Sequence, residues 1–580
     1  MDVAEAKHLR KEEPEEQRGR RPLAYLIPLA CALIAEVVFF NLGFWAGLFS
    51  GQGPAFEIVP IRLAIELAVA YIIFAFWPTS RIYRWRLGES RFHIAIIILV
   101  VAIHALTFIA VTQHIDSDHF FTAGETKFDG AVYDDGQQYA YLADSIIEGR
   151  TWLDLDVPDW LAEMDNPYDA EERFRLAAET GEPFYWDFAF YDGHYYCYFG
   201  VLPALVAFVP FKLITGTDLR TDFAVAFFCV LLSIAIALFL YRFMRRYFPN
   251  SSLGAYLLAF IMFAMGAGIL TQAFYPLFYS LPPLAGLSCI FFGFTAWVSA
   301  RRPDGSLSKL MLVLGALLVA GTLACRPQMF LAFFIAIPLF WREIAEERVF
   351  FSKRGIANTL AVIVPCLAVA ALVMLYNKAR FGSFMDFGAA YNLTGFDMTA
   401  KSGGIDPLAI GAALFFYILM PPYLSGSFPF MQPVIWYGDI HVEPFYGGFF
   451  AFTPAAIAIV GIVHFRKDLK GRRLFGVCIG CIVVALVLML MSAQVASISM
   501  RYFSDFAWAL TIPALCVWLA WMDKAQGNRK RLLIAIALFA ALVLFGEFLS
   551  YWNLLADGRY GEMIYMNPNV YGTIASWFGA

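Results

Sequence analysis

The chain has 580 residues, of which 60% are hydrophobic, 17% aromatic and 15% charged, and its mean hydropathy is +0.64. Soluble domains carry about a quarter charged residues, so this composition excludes a soluble enzyme and a disordered chain. A net charge of -5 offers no basic excess for a phosphate backbone, which excludes nucleic acid as a partner.

In chain order, residues 1–22 hold six bases and six acids and read as a cytoplasmic N-terminal segment. Apolar runs near twenty residues predict membrane-crossing helices. Residues 23–113 contain three of them (23–49, 58–77 and 93–113), the first long enough to stay as an anchor. Residues 114–218 form an external acidic loop. Residues 219–376 supply six runs (219–241, 252–271, 276–299, 309–325, 327–341 and 356–376). A second external loop spans 377–446. Four more runs fill 447–551 (447–465, 474–492, 505–521 and 531–551), and 552–580 is an external tail. The expected fold is an all-α polytopic membrane protein with about thirteen transmembrane helices in one integrated domain.

Charge sets the orientation. The segments 1–22, 78–91, 242–250, 300–309, 342–355, 466–473 and 522–531 hold 29 of the 42 Lys and Arg residues. Basic residues collect on the cytoplasmic side. All seven segments share that side only if the proline-bearing runs 198–214 and 406–424 do not cross, so both are expected to lie at the outer interface or to be re-entrant. The predicted location is the plasma (inner) membrane, with the C-terminus and the large loop outside. Within the spans, Arg62 and Glu66 are four apart and read as a self-contained ion pair. Glu36 and Glu547 are expected to find hydrogen bonds inside the bundle.

The loop 114–218 carries 21 acids against five bases. Most of these acids read as a solvated cap. Asp134 and Asp135 differ, because they precede a stripe of apolar residues at 139, 142, 143, 146 and 147 that predicts an amphipathic helix ending at Gly149. Asp135 with Gln138 fits a capping box, but a cap needs one acid. The pair is therefore a candidate general base or cation ligand. Further on, the segment 185–200 is crowded with aromatics. Asp192-Gly193 reads as a hairpin turn between two short aromatic strands. Trp186, Asp187 and His194 are candidate sugar- or acceptor-binding residues, since rings stack on sugar C–H faces while carboxylates accept from hydroxyls. Asp134, Asp135 and Asp187 together would form an all-oxygen site suited to Mg²⁺, Mn²⁺ or Ca²⁺. No His cluster points to zinc.

The order of these motifs resembles the GT-C glycosyltransferases, in the branch of protein O-mannosyltransferases and aminoarabinose lipid A transferases. Asp134-Asp135-Gly136-Gln137-Gln138-Tyr139 after a span is similar to the acidic opening of that family's first external loop. An interfacial helix at 198–214, the span 219–241 and the cluster Arg242, Arg245 and Arg246 follow in the family's order. Tyr376-Asn377-Lys378-Ala379-Arg380-Phe381-Gly382-Ser383 with Phe387-Gly388 and Tyr391-Asn392, and Met500-Arg501-Tyr502-Phe503, resemble later motifs of bacterial members. The family's pair is usually Asp-Glu, and two extra spans precede its usual first helix here.

The resemblance implies an enzyme that takes a sugar from a polyprenyl-phosphate donor. The sugar passes to a glycan, lipid or protein acceptor on the external face, with inversion and an Asp base. Arg501, Tyr502, Arg326, Lys378 and Arg380 are then the expected donor and phosphate ligands, being near the outer ends of spans. Membrane lipids are the other expected partners. Two rival readings are a transporter or flippase for a lipid-linked sugar and a non-catalytic glycan- or lipid-binding membrane protein.

Overall fold

The computed structural model describes residues 24, 26–42, 45–46, 57–113, 127–128, 132–133, 136–266, 268–400, 407–437, 440–495, 498–556 and 563–579. The chain divides into two compact units, one ending at Trp85 and one starting at Arg86.

The first unit is built on α1 (Leu26–Ile34), continued by a π turn at Ala35–Phe39, and α2 (Pro60–Ala75). Pro60 suits the first turn of α2, where its missing N–H loses nothing. Glu36 is fully buried and accepts from Arg62 Nε at 2.7 Å and Nη2 at 2.9 Å. It also accepts from the Val59 amide at 2.7 Å. Arg62 therefore pairs with Glu36, 26 residues away, and not with Glu66 as the four-residue spacing suggests. An i,i+4 pair is worth only about 0.3–0.5 kcal/mol. A buried carboxylate gripped by a two-pronged guanidinium is the stronger arrangement.

The second unit is a predominantly helical membrane bundle. Seven of the described helical segments are long and apolar enough to cross a membrane: Arg91–Thr112, Thr221–Tyr247, Phe278–Ser299, Ile356–Phe381, Phe475–Ser492, Met500–Ala525 and Arg529–Ala556. Other runs give shorter apolar helices, among them Leu253–Gly266, Lys309–Ala324, Pro327–Leu339 and Ala204–Thr215. The run 447–465 becomes a 3₁₀ stretch at Pro454–Ile462. Helices used below are α3 (Arg91–Thr112), α4 (Gln138–Ile147), α5 (Ala170–Thr180), α6 (Val209–Thr215), α7 (Thr221–Tyr247), α8 (Leu253–Gly266), α9 (Leu281–Ser299), α10 (Lys309–Ala320), α11 (Ile356–Phe381), α12 (Pro407–Leu414), α13 (Phe475–Val495), α14 (Phe503–Ala525) and α15 (Arg529–Ala556). The membrane-crossing part of α14 lies wholly inside the bundle. In α3, Glu547 of α15 meets His104, with Nε2–Oε1 at 3.6 Å.

A layer of loops caps one end of this bundle. Strands β1 (Lys127–Phe128), β2 (Val132–Tyr133) and β3 (Phe184–Tyr185) form a small sheet, antiparallel then parallel. Strands β4 (Ala189–Tyr191) and β5 (His194–Tyr196) form the expected hairpin, with φ of 49° at Asp192 and 76° at Gly193. Left-handed backbone at both turn positions matches the right-handed twist of the strands. Helix α4 buries Tyr139, Leu142 and Ala143, while Ile147 stays 41% exposed. Gly149 follows it in the left-handed region, φ 76°, as the C-terminal glycine signal requires.

Candidate functional site

The described ends of four elements converge under the loop layer. Pro327 cannot continue the preceding helix and forces Arg326 into extended backbone (φ -138°, ψ 107°). The chain therefore turns back at Arg326, between the 3₁₀ segments Gly321–Ala324 and Pro327–Ile335. The start of α9, the C-terminal turn of α11 and the turn Met500–Tyr502 before α14 meet this tip. Together they enclose a cavity of about 310 Å³. Gly200 closes one side, and a Cβ there would lie 2.3 Å from the carbonyl oxygens of Ala324 and Cys325. Only glycine lets the strand leaving β5 pass that close.

Arg326, Arg380, Arg501 and Tyr502 all line this cavity, and no acid is among its described lining residues. The Tyr502 ring has Arg326 on one contact and Arg501 on another, each with its guanidinium carbon 5.2 Å from the ring centre. Arg501 also lies over Tyr279 at 5.0 Å. Two of the arginines are held from behind by carboxylates. Arg326 Nη2 meets Asp505 Oδ2 at 3.0 Å, and Arg501 Nη2 meets Glu443 Oε1 at 3.1 Å. The Gln328 amide, with its oxygen toward Arg326, accepts from Nε and Nη2 at 3.0 Å each.

Arg380 is different. It is buried, donates from Nη1 to the Cys197 carbonyl at 2.8 Å and from Nη2 to Asn377 Oδ1 at 2.9 Å. Its guanidinium stacks on Tyr376 at 4.1 Å and Phe381 at 4.7 Å. Among the described residues no carboxylate lies within ion-pair distance of it, and its Nε has no partner. The hairpin explains this placement. Ala189 and Tyr196 bury Phe381 with help from Tyr191 and Tyr391, fixing the last turn of α11 against β5.

The other sequence candidates separate. Lys378 does not reach the cavity; its ammonium donates to the Gly382 carbonyl at the end of its own helix. A lysine one turn from a C-terminus finds the unpaired carbonyls there. His194 is exposed and stacks on Trp152 at 5.0 Å, away from the cavity lining. Trp186 packs on Phe174 of α5 at 5.8 Å, so its ring serves the loop layer. Asp134 and Asp135 lie outside the described residues. Their described neighbours are well tied. Tyr133 pairs with Tyr185, Gly136 and Gln137 accept from Thr221 at the start of α7, and Gln138 Nε2 donates to the Asp187 carbonyl at 3.2 Å.

Asp187 holds left-handed backbone, φ 59°, a costly conformation for a non-glycine residue. Its Oδ1 accepts from Asn392 Nδ2 at 3.0 Å and its Oδ2 from the Tyr279 hydroxyl. Both carboxylate oxygens are thus engaged within the protein, and Asp187 clasps Tyr279, a lining residue, to the loop layer. No three His, Cys, Asp or Glu residues converge among the described residues, so the expected all-oxygen metal set is represented there by Asp187 alone.

Burial pushes the Asp187 carboxyl above its ordinary range, against the pull of the Tyr279 hydrogen bond and the Arg501 charge. A carboxyl raised in the folded state binds more protons there than in the unfolded chain. Its contribution to stability is present at acid pH and lost as pH rises above about 4. Asp187→Asn is therefore expected to gain on the wild type as pH climbs from about 4 toward neutral. The difference in Tm between the two proteins reads this directly, and a flat or falling difference contradicts an enclosed carboxylate.

Sequence reasoning missed Asp505, Glu443 and Tyr279. Asp505 had a signal, being a lone acid four residues after Arg501 in an apolar run, where an ionisable group needs a partner. Asn392 stands in the Tyr391-Asn392 pair of the motif that follows α11, while Glu443, in the strand Ile440–Phe445, had no signal of its own.

No known protein-family profile matches the chain. A multidrug transporter of Candida glabrata, FLR1, is similar to it over 82 residues at 30% identity. That stretch is 14% of this chain and spans 15% of the transporter's length.

Proposed function

We propose that the chain is a GT-C-type membrane glycosyltransferase that moves a sugar from a polyprenyl-phosphate donor to an acceptor outside the membrane. One observation carries this reading. Three arginines line a cavity at the ends of membrane helices with no acid in its described lining, and Arg380 has no carboxylate partner there. A phosphate is the ligand such a set of guanidinium forks suits. The apolar remainder of the lining, including Val201, Pro282, Leu323 and Val373, suits the first isoprene units.

In this mechanism the acceptor hydroxyl gives its proton to Asp134 or Asp135. Its oxygen attacks the anomeric carbon from the side opposite the phosphate. The bond from that carbon to the phosphate oxygen breaks, and the configuration inverts. The phosphate leaves with added negative charge, which the arginines stabilise. The residues flanking the acidic pair support its role, because Tyr133 and Gln138 both join the 185–187 segment that clasps Tyr279. By the basic-residue bias, the loop layer faces outward from the inner membrane.

The test uses the purified full chain in sealed vesicles with a radiolabelled polyprenyl-phosphate sugar. Label is expected to leave the lipid phosphate for a hydroxyl acceptor, and loss of the true base in Asp134→Asn or Asp135→Asn should slow this about a hundredfold. Full rates in both variants refute the base assignment. A second reading, a carrier for a lipid-linked sugar, draws on the similarity to the FLR1 stretch. It predicts intact donor crossing the bilayer with no transfer.

A further inference from the structure

A second cavity, of about 770 Å³, lies at the other end of the same helices. Arg246, at the last turn of α7, lines it together with Arg301, Arg342, Lys470 and Arg473. Helices α7 and α9 run from the loop layer to this point, since the Arg246 guanidinium donates to the carbonyl of Val298 near the end of α9. At 1.5 Å per residue, the 19 residues of α9 separate the two cavities by roughly 28 Å, close to the thickness of a bilayer core.

The charges here do not balance. Three carboxylates stand among the five bases. Arg301 takes Glu343 at 2.6 Å and Glu347 at 2.8 Å, and Arg342 takes Glu347 at 2.6 Å. Arg473 reaches Glu346 at 3.6 Å. Arg246 and Lys470 have no carboxylate within ion-pair distance among the described residues, and each instead lies near a ring, Tyr247 at 5.4 Å and Phe475 at 5.6 Å. The rest of the wall is apolar, with Ile337, Pro338 and Leu339 facing Gly476 and Gly480 of α13. Trp341 and Ile337 are 57% and 51% exposed, so the wall continues outward as an apolar rim with an indole at its edge. Indoles favour the headgroup level of a bilayer.

We infer that this cavity is a binding site for an anionic phospholipid, its headgroup phosphate held by Arg246 and Lys470 and its acyl chain laid against Ile337–Leu339 and α13. A soluble phosphate would use the cations but leave the apolar wall wet. A neutral lipid would use the wall but leave two cations unpaired. Only an anionic lipid satisfies both, and basic pockets between helices at a membrane face are suited to such headgroups.

The site is separate from the sugar-transfer cavity, so binding can be read without any assay of transfer. Purified full-length protein in detergent is titrated with short-chain phosphatidylglycerol, short-chain phosphatidylcholine or inorganic phosphate, and tryptophan fluorescence is followed. Phosphatidylglycerol is expected to bind saturably, with the other two failing at the same concentrations. Each Lys or Arg near an anionic headgroup is worth about 1 kcal/mol, so Arg246→Gln with Lys470→Gln should weaken binding about thirtyfold. Lys470→Gln alone, at an exposed position, should weaken it about fivefold without risk to folding. Lys530→Gln with Arg531→Gln, at the start of α15 and outside the cavity lining, should leave it unchanged. Equal binding of phosphatidylglycerol by wild type and both cavity variants overturns the proposal. So does equal response to phosphatidylcholine, or an effect that inorganic phosphate alone reproduces.

Discussion

Arg326→Ala is expected to destabilise the folded protein by about 3–5 kcal/mol, because it leaves the Asp505 carboxylate buried without its counter-ion. Asp505 is fully buried, and its second oxygen, Oδ1, has no partner even with Arg326 in place. Removing the guanidinium takes away the 3.0 Å ion pair and its cation contact with Tyr502 together. The paired variant Arg326→Leu with Asp505→Leu should recover most of the loss, since two apolar side chains carry no desolvation penalty. Thermal unfolding of the wild type, Arg326→Leu, Asp505→Leu and the paired variant in one detergent measures this as a double-mutant cycle. If the single Arg326 variant unfolds at the wild-type temperature, Asp505 is not charged against Arg326. The paired variant should also be inactive in transfer while folded, which separates the structural role of the pair from the role of Arg326 at the cavity.

Arg380→Ala is expected to lower kcat/KM for the lipid-phosphate donor about 10²- to 10³-fold, the loss seen when one preorganised donor to a developing anion is removed. The reason lies in its partners. Its Nη atoms are spent on Cys197 and Asn377, which hold the fork still, while its charge is matched by no carboxylate within ion-pair distance among the described residues. A fixed, unneutralised cation in a cavity is preorganised for an anion. Arg380→Lys should restore the charge but recover only part of the rate, because a compact ammonium lacks the planar fork whose two Nη atoms reach Cys197 and Asn377 separately. Steady-state transfer kinetics check this, with unfolding temperature as the control for structure. Wild-type kinetics in Arg380→Ala would remove the cavity from the donor's path.

Much of this was legible in the sequence because it is local. Apolar runs bury or face lipid as helices whatever they pack against. Asp192-Gly193 turns a hairpin because both residues tolerate left-handed backbone, and Gly149 ends α4 for the same reason. Pro327 fixes the extended backbone of Arg326 and hence the tip of a helical hairpin. Arg326, Arg380, Arg501 and Tyr502, which the family resemblance and the outer ends of the spans single out, share one cavity. Lys378, chosen by the same rule, is two residues from Arg380 on α11 and points elsewhere, since a helix turns 100° per residue.

The sequence alone determined that this is a multi-pass helical membrane protein, that its bases and acids are segregated, and where several turns and helix ends fall. Those properties depend on the solubility of each segment and on neighbours a few residues away. Tertiary structure decided the partners of the charges. Arg62 takes Glu36 across 26 residues, Arg326 takes Asp505, Arg501 takes Glu443, and Asp187 joins Tyr279 and Asn392. A charge in a low-dielectric bundle must be matched by whatever group the packing brings within about 3–4 Å, and sequence distance carries no information about that. The same packing left Arg380 beside one cavity and Arg246 and Lys470 beside the other without a carboxylate within ion-pair distance among the described residues, a property that the motifs holding Arg380 and Arg246 do not carry.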